Sequence, residues 1–232
     1  MPTALITGTN RGLGLEFVRR YLERGWQVIA VNRGESDALQ SLADNPALTL
    51  VQAELTAPAD LERIADTLGA TTLDLLINNA GIMGTDTFRL EDKQRQGLHD
   101  FSRDEWRRVF DINVFTPMQL IALLRERLAH GAKVVTISSS MGSISGNSFG
   151  GWYAYRASKA AVNCLMKSVA LELGDAVIAI ALHPGWVRTD MGGPDADIDA
   201  ETSIAGMMAV IDGLGPGDNG AYLGYDGARI DY

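Results

Sequence analysis

The chain has 232 residues, of which 46% are hydrophobic and 21% charged, and it carries a formal net charge of −9 with a single cysteine, Cys164. That length supports a full core in one large domain, residues 1–232, while the acidic balance argues against a nucleic-acid or anionic-membrane surface. One thiol excludes an intrachain disulfide and a cysteine metal cluster, and the absence of a signal-like or membrane-length apolar run points to a soluble protein of the reducing cytoplasm.

The first predicted strand, 3–7, runs into Thr7-Gly8-Thr9-Asn10-Arg11-Gly12-Leu13-Gly14 and then into a helix marked by Leu15, Val18 and Leu22. Glycines there allow a tight turn and close backbone approach, and a helix N-terminus supplies amide donors to a pyrophosphate. The Gly-x-x-x-Gly-x-Gly spacing differs from the common dinucleotide fingerprint, so its position between strand and helix carries the argument. A second strand, 27–31, ends beside Asn32 and Arg33, where an NAD site usually places a carboxylate on the ribose. With none present, Arg33 and Arg11 would clamp a 2′-phosphate, which favours NADP(H) over NAD(H); the other reading is two solvated surface charges.

Further strands are predicted at 48–51, 73–78, 133–138, 177–182 and 221–225. Helical periodicity links Leu61, Ile64 and Leu68, and longer helices are expected over 102–129, where Pro117 would kink the chain, and over 154–173. Gly25 and Gly174 stand where helices would stop. Strand and helix alternate, so the expected fold class is α/β: a parallel, doubly wound sheet with helices on both faces. Two stretches break the alternation, a polar loop at 82–101 and a second at 186–200 that is rich in Gly, Asp and Pro. Both follow strands, so they are candidate loops over a ligand crevice, with ordinary surface insertion as the alternative for the first.

Within the second long helix, Tyr155 and Lys159 are four residues apart and share one face. A nearby cation stabilises a phenolate, which turns a phenol of reference pKa about 10 into a tunable acid/base. Two amphipathic side chains on a helix surface would show the same spacing. His99, His130 and His183 lie in separate segments without metal-ligand spacing, and no metal is expected; His183 reads as a site wall or core residue. Met207, Met208 and Ile211 read as a core face, and Cys164 as a small buried hydrophobe.

Six marks in order make the chain resemble the short-chain dehydrogenase/reductase family over nearly its whole length. They are the Thr7-to-Gly14 loop, Asn78-Asn79-Ala80-Gly81, Asn113, Ser138-Ser139-Ser140, Tyr155 with Lys159, and Pro184-Gly185 followed by Thr189. The similarity is greatest to the single-domain carbonyl reductases that include C-factor and Sniffer-like proteins. The resemblance implies a seven-stranded Rossmann fold and a reversible NADPH-dependent reduction of a ketone or aldehyde. Tyr155 would act as general acid/base, Lys159 would lower its pKa and hold a ribose, Ser139 would bind the substrate oxygen, and Asn113 would shape a water path.

The same resemblance implies that Gly8, Asn10, Arg11, Gly12, Leu13, Gly14, Arg33, Glu54, Leu55, Asn79, Ala80 and Gly81 line the adenosine and phosphate side of the cofactor. Pro184, Gly185, Val187 and Thr189 would line the nicotinamide side. Ser140, Trp152, Trp186 and Met191 are candidate substrate contacts, with Phe149 at the pocket mouth. The serine-to-tyrosine separation of 16 residues is longer than is common in the family, with 143–151 as the extra loop, so the choice among the three serines stays open. The family's paired central helices imply a homodimer or homotetramer. A non-catalytic NADP(H)-binding signalling or redox-sensing protein is the alternative, and a sugar-nucleotide epimerase or dehydratase is disfavoured by the short chain after Thr189.

Overall fold

The computed structural model describes residues 1–84 and 97–232, so 85–96 of the predicted 82–101 loop lie outside the described residues. Its seven strands, β1 (Thr3–Thr7), β2 (Gln27–Asn32), β3 (Leu48–Gln52), β4 (Leu73–Asn78), β5 (Leu128–Ile137), β6 (Val177–His183) and β7 (Tyr222–Gly224), form one sheet in the order β3-β2-β1-β4-β5-β6-β7. All the pairings are parallel. Every residue of β1 is buried, as expected of an inner parallel strand covered on both faces.

Helices supply the two covers. On one face α3 (Pro58–Leu68), α5 (Thr116–Leu124) and α6 (Tyr153–Leu173) bring Ile64, Leu120 and Met166 against Leu5, Leu76 and Val134. On the other, α1 (Gly12–Glu23) and α7 (Ala200–Gly213) pack Phe17, Val18, Ile204 and Met207 on Ile6, Ile77 and Ile180. Alternate strand residues thus feed alternate cores. This is the doubly wound Rossmann arrangement, and strand order reverses between β1 and β4, where such sheets open a crevice at their carboxyl ends.

The expected helix over 102–129 is three pieces. Helix α4 (Arg103–Phe110) passes through a π turn, Asp111–Phe115, into α5, and the Thr116 N–H reaches back to the Asp111 carbonyl. Pro117 has no N–H to return to the carbonyl of Asn113, so the local widening absorbs the mismatch without a break. The helix stops at Leu124, before the predicted end, and β5 starts at Leu128; a register shift between Leu73 and Leu75 lets the extra residues join the sheet, with Gly131 left-handed at φ 81°. Gly25 and Gly174 do end α1 and α6, with φ of 75° and 58°. The reading of Cys164 is corrected: it is exposed, because the buried stripe of α6 runs through Lys159, Val162, Asn163 and Met166 and turns Cys164 outward.

Candidate active site

The carboxyl ends of β1 and β4 are tied together by side chains. Thr7 Oγ1 accepts from the backbone N–H groups of Asn79 and Ala80 at 3.1 and 3.0 Å, while Asn79 Nδ2 donates to the carbonyls of Thr7 and Gly8. This closeness explains two glycines. A Cβ on Gly14 would stand 2.1 Å from the Gly8 oxygen, and one on Gly8 would stand 2.8 Å from Ala80 Cα. At the start of α1, Arg11 makes no side-chain cap and the first turn holds no acidic residue, so the helix supplies no anion of its own to its first amides.

That groove, about 630 Å³, gathers the predicted glycine-loop residues Gly8, Asn10, Arg11, Gly12, Leu13 and Gly14. Arg33, Glu54, Leu55, Asn79, Ala80 and Gly81 line it too, as do Tyr155, Lys159, Pro184 and Thr189. Gly185 and Val187 line instead a second cavity of about 330 Å³, together with Ser139, Ser140, Trp186 and Met191. Leu13, Ser138, Tyr155, Pro184, Thr189 and Met191 border both. The two cavities therefore meet at the phenol of Tyr155.

Trp152 is placed differently from expectation. It is buried behind the second cavity in a small cluster with Met83, Met141 and Tyr155, and is not among the residues lining the space. Its backbone is left-handed at φ 45°, after Gly150 and Gly151 at 66° and 71°. Such a conformation costs a bulky residue about 1–2 kcal/mol, which the packing against Tyr155 offsets while setting the entry of α6. Phe149 does line the mouth, edge-on to Trp152.

Burial governs the ionisable pair. Lys159 donates a 2.7 Å hydrogen bond to the Ile137 carbonyl, and its desolvation lowers its pKa to about 8. Tyr155 is raised above its ordinary value by burial, with the Ser139 hydroxyl pulling the other way. Loss of water around the ring is the larger of these two effects on the phenol. His183, also in the second cavity, is lowered to about 4 by burial and is therefore neutral, with Asp226 opposing the shift.

Hydrogen bonding separates the three serines. Ser138 donates to Asn163 Oδ1 at 2.6 Å, which spends its proton, and Ser140 is exposed. Ser139 is buried, accepts from the Met141 N–H at 3.2 Å and turns its own hydroxyl toward the Tyr155 phenol, on the border of the second cavity. Asn113 is buried one turn before Pro117 and clamps Ile82 twice: its Oδ1 accepts from Ile82 N–H and its Nδ2 donates to the Ile82 carbonyl, both at 2.8 Å. It also donates to Ser158 Oγ at 3.0 Å. At the far end Arg33 lies 3.8 Å from Glu54, and Arg11 pairs with Asp190 across the groove. Asp190, Met83 and Met141 were not anticipated; only the spacing of Asp190 after Thr189 placed it near a predicted ligand residue.

The chain belongs to the short chain dehydrogenase family, whose model matches residues 2–198. Among individual proteins it is 39% identical to the C-signal of Myxococcus xanthus over 163 residues, covering 69% of this chain and 93% of that one. The carbonyl reductase Sniffer of D. melanogaster superposes with a TM-score of 0.89 at 29% identity, covering 100% of both chains. The NADPH-bound carbonyl reductase from chicken fatty liver superposes with a TM-score of 0.87 at 31% identity, over 100% of this chain and 99% of that one. Among the described residues no helix is long and apolar enough to cross a membrane.

Proposed function

We propose that the protein is a cytoplasmic NADPH-dependent carbonyl reductase acting reversibly on uncharged, largely apolar ketones or aldehydes. The observation that carries this reading is the meeting of a phosphate-competent groove and a smaller, mostly apolar cavity at one buried phenol, Tyr155. The glycine turn, which a Cβ would fill, and the uncapped start of α1 suit a pyrophosphate, and Arg11 and Arg33 suit a 2′-phosphate. No Asp, Glu, Lys or Arg stands among the described residues lining the smaller cavity, where Met83, Met141, Met191 and Trp186 supply apolar surface.

When bound, the nicotinamide cofactor supplies the hydride. The chain does the rest. Ser139 donates a hydrogen bond to the substrate oxygen, where negative charge develops, and Tyr155, kept protonated by burial, delivers the one proton that this oxygen takes up. Lys159 contributes positive charge beside the phenol, Asn113 fixes the Ile82 backbone in the groove wall, and the Met83–Met141–Trp152 cluster excludes water.

The test is a fluorescence titration of NADPH and NADH on wild type and Arg33→Ala. A preference for NADPH that collapses in the variant is expected; equal binding of both cofactors by wild type would overturn the 2′-phosphate assignment. Similarity to a protein named C-signal favours one second reading, an NADP(H)-binding signalling protein that does not turn over. A Tyr155→Phe variant that keeps a biological effect while losing reductase activity would support it.

A further inference from the structure

The hydroxyl proposed to bind the substrate oxygen sits on a backbone that a distant strand holds in place. Tyr222, on β7, is 2% exposed, and its hydroxyl donates to the carbonyl of Ser139. The same carbonyl accepts from the Gly142 N–H at 2.7 Å, so the turn carrying Ser139 is pinned from inside and from outside. Beyond it, the Ser145 N–H and Oγ both donate to the carbonyl of Tyr232, at 3.1 and 2.9 Å. The Tyr232 ring lies 5.9 Å from that of Tyr222, and its hydroxyl donates to the Gly220 carbonyl at 2.8 Å. Residues 222–232 thus grip the serine loop at Ser139 and again at Ser145, ahead of Phe149 and the left-handed turn into α6.

We propose that Tyr222 is a positioning residue for the reaction: through its hydroxyl it fixes the Ser139 backbone and so aims the Ser139 hydroxyl at the substrate oxygen, with Tyr232 bracing both Tyr222 and the loop. The proposal rests on the reading of Ser139 given above. Helix α6 holds the far side of this turn, where Arg156 Nη1 donates to the Met141 carbonyl at 3.2 Å and Asn163 Nδ2 to the Gly142 carbonyl at 3.4 Å, while among the described residues Tyr222 is the side chain that holds the Ser139 carbonyl itself. Ser139 lies two residues past the end of β5, the 3-10 turn that follows spans only Ser140–Gly142, and Ser140 is exposed. An error of an ångström in the donor weakens stabilisation of developing charge much more than it weakens binding of the ground state.

The test replaces Tyr222 by Phe, which keeps the buried ring and removes one hydroxyl, alone and in a Ser139→Ala background. Turnover is measured with NADPH and the fastest-reduced of acetophenone, benzaldehyde and menadione, and amide hydrogen exchange is followed at Met141 and Gly142. In the wild-type background Tyr222→Phe is expected to lower kcat roughly tenfold, the scale of one hydrogen bond, with KM for NADPH unchanged. With Ser139→Ala already present, the same change is expected to alter kcat by less than about twofold, since residues acting through one another are not additive. Exchange at Met141 and Gly142 should quicken while that of β6 stays as in wild type.

Equal losses in both backgrounds, or unchanged exchange at the two amides, would overturn the role of Tyr222 and leave the proposed reaction standing. Full activity in Ser139→Ala alone would overturn the reading of Ser139, and the role of Tyr222 with it.

Discussion

The ammonium of Lys159 lies 5.7 Å from the centre of the Tyr155 ring and is held by the carbonyl of Ile137 at 2.7 Å. The helix places acid and cation on one face, as their spacing demands, and α6 buries that face. Both groups lose water, so the phenol keeps its proton and the ammonium gives its proton up more easily than in solution.

A pH profile follows. Because Tyr155 stays protonated across the neutral range, carbonyl reduction is expected to be level below pH 8 and to decline as pH rises through about 8, where Lys159 loses its charge. Steady-state rates with NADPH at saturating carbonyl compound check this. A Lys159→Arg variant that folds should lose the alkaline decline, since guanidinium stays charged there.

The same lysine costs stability. Its pKa falls from 10.5 to about 8 in the folded chain, so between those values the unfolded chain holds the extra proton. Its stabilising contribution is complete above 10.5 and is lost as pH falls through about 8. Lys159→Met should therefore raise stability at neutral pH by about 1–3 kcal/mol, after allowing for the Ile137 carbonyl left without its donor, while abolishing turnover. Urea unfolding at neutral pH reads the first effect.

Two glycines, Gly14 inside α1 and Gly25 just past its end, make a contrast. Gly14→Ala would press a methyl onto the Gly8 carbonyl at 2.1 Å and onto Asn79 Nδ2 at 2.6 Å, breaking the tie between β1 and β4. A loss of about 3 kcal/mol and of NADPH binding is expected. Gly25→Ala has open space around it and bears only the left-handed backbone at φ 75°, so about 1 kcal/mol and normal binding are expected. Thermal unfolding with and without NADPH separates the two.

Asn113→Ala would strand the N–H and carbonyl of Ile82 at the edge of the groove. A destabilisation of about 3 kcal/mol is expected, together with a lower kcat, because the peptide in the groove wall loses both anchors. Asn113→Asp keeps the acceptor for the Ile82 N–H and loses the donor, so it should fall between Ala and wild type in a urea titration.

Much of this was legible because it is periodic or local. The bounds of β1 and β4 follow from buried runs closed by Gly8 and Asn79, and the pairing of Tyr155 with Lys159 needs only the helical repeat. What stayed hidden depends on long-range contacts or on burial. Tyr222 reaches Ser139 across 83 positions, with no spacing rule to link them. The left-handed Trp152 is sustained by packing that local preference opposes, and the raised phenol of Tyr155 depends on lost water, where the sequence suggested only a nearby cation. Cys164 was misplaced because the polar members of the buried stripe, Lys159 and Asn163, disguise which face of α6 is inside.

The most direct measurement takes one sample of Tyr155→Phe and reads both NADPH affinity and carbonyl turnover against wild type. Binding should stay within about threefold, because the fold and groove are intact, while turnover falls by at least ~100-fold, the scale of losing a general acid. Near-wild-type turnover in the variant, or a wild type that binds NADPH and reduces no ketone, aldehyde or quinone in a broad panel, would contradict the account.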